Sequence, residues 1–200
     1  MVPVVLAGIW FGLRGGALYW DAQCDDARLV IATARAAAAH GAALLNYAEA
    51  ETLLRADGRV TGARVRDRLT GEAADLRAHV VVNATGPWTD GVRRLEDPGA
   101  APLLRPTKGS HVMVPRDRIG HAHAITFTSA VDGRVMFILP WGDRSYIGTT
   151  DTATDESPDD VNADLADVTY LLRSVNALFP SAHLKEEDVL ATWAGLRPLL

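Results

Sequence analysis

The chain has 200 residues, enough for one domain with a full core or two small lobes and too few for a large multidomain enzyme. Its 48% hydrophobic and 22% charged content excludes disordered, collagen-like and coiled-coil classes. A net charge of −5 with scattered arginines would repel a phosphate backbone, so nucleic-acid binding is not expected and any anion must be caught locally.

The single cysteine, Cys24, can form neither an internal disulfide nor a thiolate cluster, which fits a reducing, cytoplasmic setting; it reads as a small buried hydrophobe. Residues 1–13 are apolar and uncharged but fall short of the roughly 20 residues that a spanning helix needs, and they lack a basic leader. A buried strand is expected there. Asp25 and Asp26 precede an alanine-rich run ending at Gly41, which predicts a helix over Ala27–His40 with its acids at the positive end. Strands follow at Ala43–Tyr47, Ala50–Arg55 and Val60–Asp67, the last alternating Ala63 and Val65 against Arg64 and Arg66. Thr70-Gly71 marks a turn. His79–Asn83 is β-branched and apolar throughout, which predicts a central, buried strand. A short helix over Trp88–Leu95 comes next.

Past Gly99, strands are predicted at Lys108–Pro115, Ala124–Thr128, Arg134–Leu139 and Ser145–Thr149, separated by Gly, Pro and Asp. Leu165, Val168, Leu171, Leu172, Val175 and Phe179 stand at helical spacing before Pro180, and Asp159 with Asp160 suit the cap of that helix. A last strand is expected over Glu187–Trp193. The class is α/β of the mixed α+β kind, with a lobe boundary near residue 103. One lobe is built on a mixed or antiparallel sheet with flanking helices.

The opening run never has G-x-G-x-x-G spacing, so it is no dinucleotide loop. Asn83-Ala84-Thr85-Gly86 instead joins a strand to a helix, where Gly86 permits close approach and helix-start N–H groups attract anions. His121 and His123 form an H-x-H pair with no third ligand at suitable spacing, so they read as loop residues and no metal is expected. Trp88, Trp141 and Trp193 read as core or interface aromatics.

Three further strings stand out: Lys108-Gly109-Ser110-His111, Tyr146-Ile147-Gly148-Thr149-Thr150-Asp151 after Pro140-Trp141-Gly142, and Trp193-Ala194-Gly195-Leu196-Arg197-Pro198. Together with Gly15–Gln23 and Asp25–Leu29, they resemble the FAD-dependent glycerol-3-phosphate dehydrogenase family of the D-amino-acid-oxidase-like flavoproteins, in order from about Gly12 to Leu200. The resemblance implies a partial FAD-binding lobe of glutathione-reductase type (25–103) and a substrate lobe (12–24 with 104–197), with 1–11 unassigned. It implies oxidation of sn-glycerol 3-phosphate to dihydroxyacetone phosphate with electrons passed to quinone. The enzyme would be cytoplasmic or peripheral on the inner face of the membrane.

By the same resemblance Asn83, Ala84, Thr85 and Gly86 line the flavin, Glu49 and Ala50 hold its adenine end, and Arg197 faces the substrate phosphate. A planar guanidinium suits that task, since it can give two parallel charge-assisted bonds. His111 is the candidate base, and Ser110, Thr149 and Thr150 are candidates for orienting substrate. The family's opening G-x-G-x-x-G, a following arginine segment and a closing G-G-K-x-T-T-type stretch do not occur here, so the chain reads as the middle of a longer protein. Two other readings stay open: a non-catalytic phosphate-binding remnant without flavin, and another oxidase of the superfamily acting on an amine or amino acid.

Overall fold

The computed structural model describes residues 2–7 and 16–200. Expectations that rest on Met1 and residues 8–15, including parts of the opening apolar run and of the Gly15–Gln23 string, lie outside the described residues. The chain divides into two compact units, one of Met1–Gln23 with Arg105–Leu199 and one of Cys24–Leu104 with Leu200. The mixed α/β class expected from the sequence is the class observed.

The first unit is a mixed sheet backed by one helix. Its strands are β1 (Val2–Ala7), β2 (Gly16–Asp21), β6 (Thr107–Pro115), β7 (Ala124–Thr128), β8 (Val135–Trp141), β9 (Arg144–Gly148), β10 (Thr152–Ala153) and β11 (Ala191–Arg197); the second unit supplies β3 to β5. The order is β10-β6-β9-β8-β7-β1-β2, with β11 on the other edge of β6. All pairs described are antiparallel except β1 with β7.

Helix α3 (Leu165–Leu178) covers one face of this sheet. Leu171, Leu172 and Val175 from the helix pack with Val112, Val114, Ile125, Phe127, Met136, Ile138 and Ile147 from the strands to form the core. The helix starts at Asp164, whose side chain accepts from the Asp167 N–H while the Asp167 carboxylate accepts from the Asp164 N–H. Asp159 and Asp160, expected as the cap, lie in a turn four and more residues upstream, because reciprocal capping needs an acid three residues from its partner. The last strand begins at Ala191 rather than Glu187. Glu186–Asp188 closes a 3₁₀ turn in which Asp188 accepts from the Lys185 N–H, so those residues are spent on a cap.

The second unit holds α1 (Asp26–Ala39), α2 (Thr89–Glu96) and a three-stranded antiparallel sheet, β3 (Ala48–Ala56), β4 (Arg59–Asp67) and β5 (Ala73–Arg77), in that order. Asp25 caps α1 through the Arg28 N–H, as the acid pair predicts, and Gly41 follows at φ +91°. Ala43–Tyr47 forms no strand; Tyr47 is left-handed at φ 54°, and ladder pairing with β4 starts only at Ala48.

His79–Asn83 is also not the central strand its composition suggests. The last bond on β4 is from the Ala78 N–H to the Thr61 carbonyl, and beyond it no described strand lies alongside. Val80 and Val82 are consequently 74% and 78% exposed. Cys24 is likewise exposed, its thiol donating to Asp26 Oδ1 at 3.3 Å rather than filling a core.

Candidate functional site

Period-two alternation along β6 sorts its side chains onto two surfaces. Lys108, Ser110, Val112 and Val114 are buried on the α3 side, whereas Thr107, His111 and Met113 are partly open on the other. The register places Arg197 opposite Thr107, Gly195 opposite Gly109 and Trp193 opposite His111 on β11. On the other flank Gly148 of β9 lies opposite His111, and Tyr146 opposite Met113. His111 and Arg197 therefore share the open surface, although 86 positions separate them in the sequence.

His111 is held by ring packing. Its imidazole stacks on Trp193, with centroids 5.3 Å apart and planes 12° off parallel, and meets Tyr146 edge-on at 5.4 Å. Gly148 is glycine for a reason visible here: a Cβ at that position would come within 2.9 Å of His111 Cγ. Burial, and then the nearby Arg197 cation, depress the imidazole pKa from 6.5 to about 4. The ring is thus neutral at physiological pH. Its Nδ1 is buried and lacks a hydrogen-bond partner, a condition that costs free energy unless a ligand or water supplies one.

Arg197 lies flat over Gly109, where a Cβ would approach Nη1 to 2.8 Å. Its Nη2 donates to Thr149 Oγ1 at 3.0 Å and to the Thr150 carbonyl at 3.1 Å. Its Nη1 donates to Asp151 Oδ1 at 3.1 Å and, at 3.4 Å, to Thr107 Oγ1. The guanidinium is in this way fixed from two sides while its side chain stays 34% exposed.

The other candidates divide between these surfaces. Thr149 joins Arg197 directly. Thr150 contributes its carbonyl to Arg197, but its hydroxyl is buried and accepts from the Ser110 N–H at 2.8 Å. Ser110 is fully buried on the α3 side, where its hydroxyl donates to Asp167 Oδ2 at 2.9 Å, so it braces the helix and cannot orient a ligand beside His111. Lys108, 4% exposed, pairs with Asp164 at 2.9 Å and Asp167 at 3.0 Å on the same side, and these acids raise its pKa. Trp193 is 39% exposed as a platform for His111, and Trp141 meets Tyr146 edge-on.

His121 is buried in its loop, its Nδ1 2.7 Å from the His123 carbonyl and its Nε2 2.6 Å from Ser145 Oγ. Both ring nitrogens are occupied by protein. No cluster of three or more metal-capable side chains occurs among the described residues.

In the second unit, Asn83 braces a turn: its Oδ1 accepts from the Thr85 hydroxyl at 2.7 Å and its Nδ2 donates to the Thr89 carbonyl at 3.1 Å. Ala84 and Thr85 are exposed, and Gly86 at φ +56° opens a 3₁₀ turn, Gly86–Trp88, that runs into α2. Neither that turn nor α2 has a side chain capping its first N–H groups. Glu49 and Ala50 lie on β3, an edge strand of the sheet; Glu49 also pairs with Arg68 at 3.0 Å. An uncapped helix start beside a left-handed glycine, and an edge strand with backbone to offer, suit a dinucleotide-like cofactor.

Sequence reasoning missed Asp151, Gly109, Gly148, Tyr146 and Trp193 as parts of the site. All five stood inside the quoted strings, but only strand register shows that they converge.

The family model described as FAD dependent oxidoreductase matches residues 1–200. The chain is 40% identical over 195 residues to the human mitochondrial glycerol-3-phosphate dehydrogenase, covering 94% of this chain and 27% of that protein. It is also 40% identical over 192 residues to the alpha-glycerophosphate oxidase of Streptococcus pneumoniae, covering 94% and 32%. The crystal structure of the Bacillus halodurans glycerol-3-phosphate dehydrogenase complexed with FAD superposes with a TM-score of 0.94 at 34% identity, over 99% of this chain and 44% of that one. The chain therefore spans about a third or less of the curated relatives it matches. With a family model matched over its whole length, this chain belongs to the FAD-dependent oxidoreductase family.

Proposed function

We propose that the chain is part of a flavoenzyme that oxidises sn-glycerol 3-phosphate to dihydroxyacetone phosphate and passes the electrons to quinone. The observation that carries this reading is the pairing, on one open sheet surface, of a fixed guanidinium with a neutral imidazole whose buried Nδ1 lacks a partner. The names of the relatives, one a dehydrogenase and one an oxidase of the same phosphate ester, support it.

FAD, when bound, supplies the acceptor for the hydride leaving C2 of the substrate. The residues of this chain do the rest. Arg197 binds the phosphate and, held by Thr149, fixes the distance from that phosphate to His111. His111, unprotonated at neutral pH, takes the C2 hydroxyl proton. An imidazole at about 4 is a weak base, and a dianionic phosphate on Arg197 strengthens it by placing more negative charge near the ring than the single carboxylate of Asp151 does. Trp193 and Tyr146 keep water from the ring. The Asn83–Gly86 turn would hold the flavin, and the edge of β3 at Glu49 and Ala50 its adenine end. We place the protein in the cytoplasm or peripherally on the inner face of the membrane, a setting that matches a quinone acceptor.

The test is anaerobic titration of the purified, FAD-supplemented protein. Bleaching of the flavin by glycerol 3-phosphate but not by glycerol, followed by reoxidation with a soluble quinone, is the expected result. Bleaching by an amine or amino acid instead would move the protein to another branch of the superfamily. A protein that takes up no flavin yet binds phosphate would be the non-catalytic module. Reoxidation by oxygen alone would remove quinone from the proposal.

A further inference from the structure

Arg197 carries five N–H bonds, and the four on Nη1 and Nη2 have acceptors within the unit. The two nitrogens are held unequally. Nη2 is fixed by Thr149 Oγ1 and the Thr150 carbonyl, both part-buried, and Gly109 leaves the guanidinium seated against β6. Nη1 has a long contact to Thr107 and one strong acceptor, the carboxylate of Asp151, which is 46% exposed. The Asp151 main chain is pinned, since its carbonyl accepts from Arg134 Nη1 at 2.8 Å. Its side chain can swing into solvent while the backbone stays in place.

We propose that Asp151 is the resident counter-ion of Arg197 and that the substrate phosphate replaces it at Nη1. This rests on the reading of Arg197 as the phosphate seat and adds what occupies that seat before a ligand arrives. Exchange of one anion for another keeps a charge-assisted bond on Nη1 and frees a carboxylate that water can solvate at once. A neutral polyol offers no charge in return and leaves the ion pair closed. Asp151 thus weakens every anion by a common factor, set by how far the ion pair is closed, and the preference for a doubly charged ligand belongs to Arg197 itself.

Calorimetric titration of the protein with inorganic phosphate, and separately with acetate, tests this and needs no turnover. Asp151→Asn, close in shape but uncharged, should bind phosphate about fivefold to tenfold more tightly, and acetate by about the same factor. Asp151→Glu, which keeps the charge, should stay within about twofold of the parent. Weaker phosphate binding by Asp151→Asn would make Asp151 a positioning residue and overturn the exchange. Equal affinities, undetectable binding by both proteins included, would also overturn it, as would equal tightening by Asp151→Glu. Arg197→Gln separates the two layers. Persistent phosphate binding in that variant would sink the reading of the site itself, whereas its loss without any gain in Asp151→Asn would remove only the exchange. Circular dichroism confirms that each variant is folded.

Discussion

At the scale of single residues, His111 ties chemistry to stability. Its imidazole sits near 4 in the folded chain against 6.5 in an unfolded one, so between those values the unfolded state binds more protons and stability falls as pH drops. The contribution is full above about 6.5 and gone below about 4. His111→Gln should flatten that part of the profile, by on the order of 1–2 kcal/mol between pH 7 and 4 in urea unfolding. Gly109→Ala pushes a methyl into the Arg197 guanidinium; we expect a rise in KM for glycerol 3-phosphate of tenfold or more with a smaller change in kcat. His111 and Arg197 could be singled out from sequence because they stand in distinctive strings. Ser110 shares a string with His111 yet faces the other way, since adjacent strand positions point to opposite surfaces. The role of Asp151 depends on a contact across 46 positions, which no local pattern encodes.

At the scale of elements, the buried pair of Lys108 and Asp167, with the exposed Asp164 at its edge, fastens β6 to the start of α3. Asp164→Ala removes both the cap and one partner of Lys108, and should cost about 1–2 kcal/mol in thermal or denaturant unfolding. Lys108→Met leaves Asp167, 6% exposed, without its cation and should cost about 3–5 kcal/mol. Adding Asp167→Asn to Lys108→Met should recover part of that loss, because the stranded charge goes with it. Elements with strong local signals were legible from sequence: α1 from its acids and glycine, β7 from its flanking breakers, α3 from its apolar spacing. Elements defined by partners were not. His79–Asn83 has the composition of an interior strand, but a strand exists only where another lies alongside, and β4 has no bonds left to give past Ala78.

At the scale of the molecule, the hydrophobic core belongs to one unit. Among the described residues, the largest fully buried side chains fall between Ser110 and Val175, whereas α1 in the second unit buries none of its residues and leaves Leu29, Val30 and Ile31 more than half exposed. Local stability should divide in the same way. Hydrogen exchange on the 200-residue chain should show amides of β6, β8 and β9 protected at least a hundredfold longer than those of α1 and β5. Comparable protection in both units would mean that the apolar surface of the second is covered in solution. Composition pointed to a chain rich enough in apolar residues to fold, but it could not say that those of one unit would remain on the surface. No helix among the described residues is long and apolar enough to cross a membrane.

The two-sidedness of β6 also bears on how such a protein can change over time. Substitutions at Thr107, Gly109, His111 or Met113 retune ligand contacts without touching the core, and those at Ser110, Val112 or Val114 do the reverse. A deletion of one residue ahead of His111 would exchange the two sets at a stroke, bringing the imidazole against α3 and a serine into the open. Variation along this strand is therefore expected to proceed by replacement and never by change of length, with the odd-numbered positions free to drift toward new ligands while the even-numbered ones stay constrained.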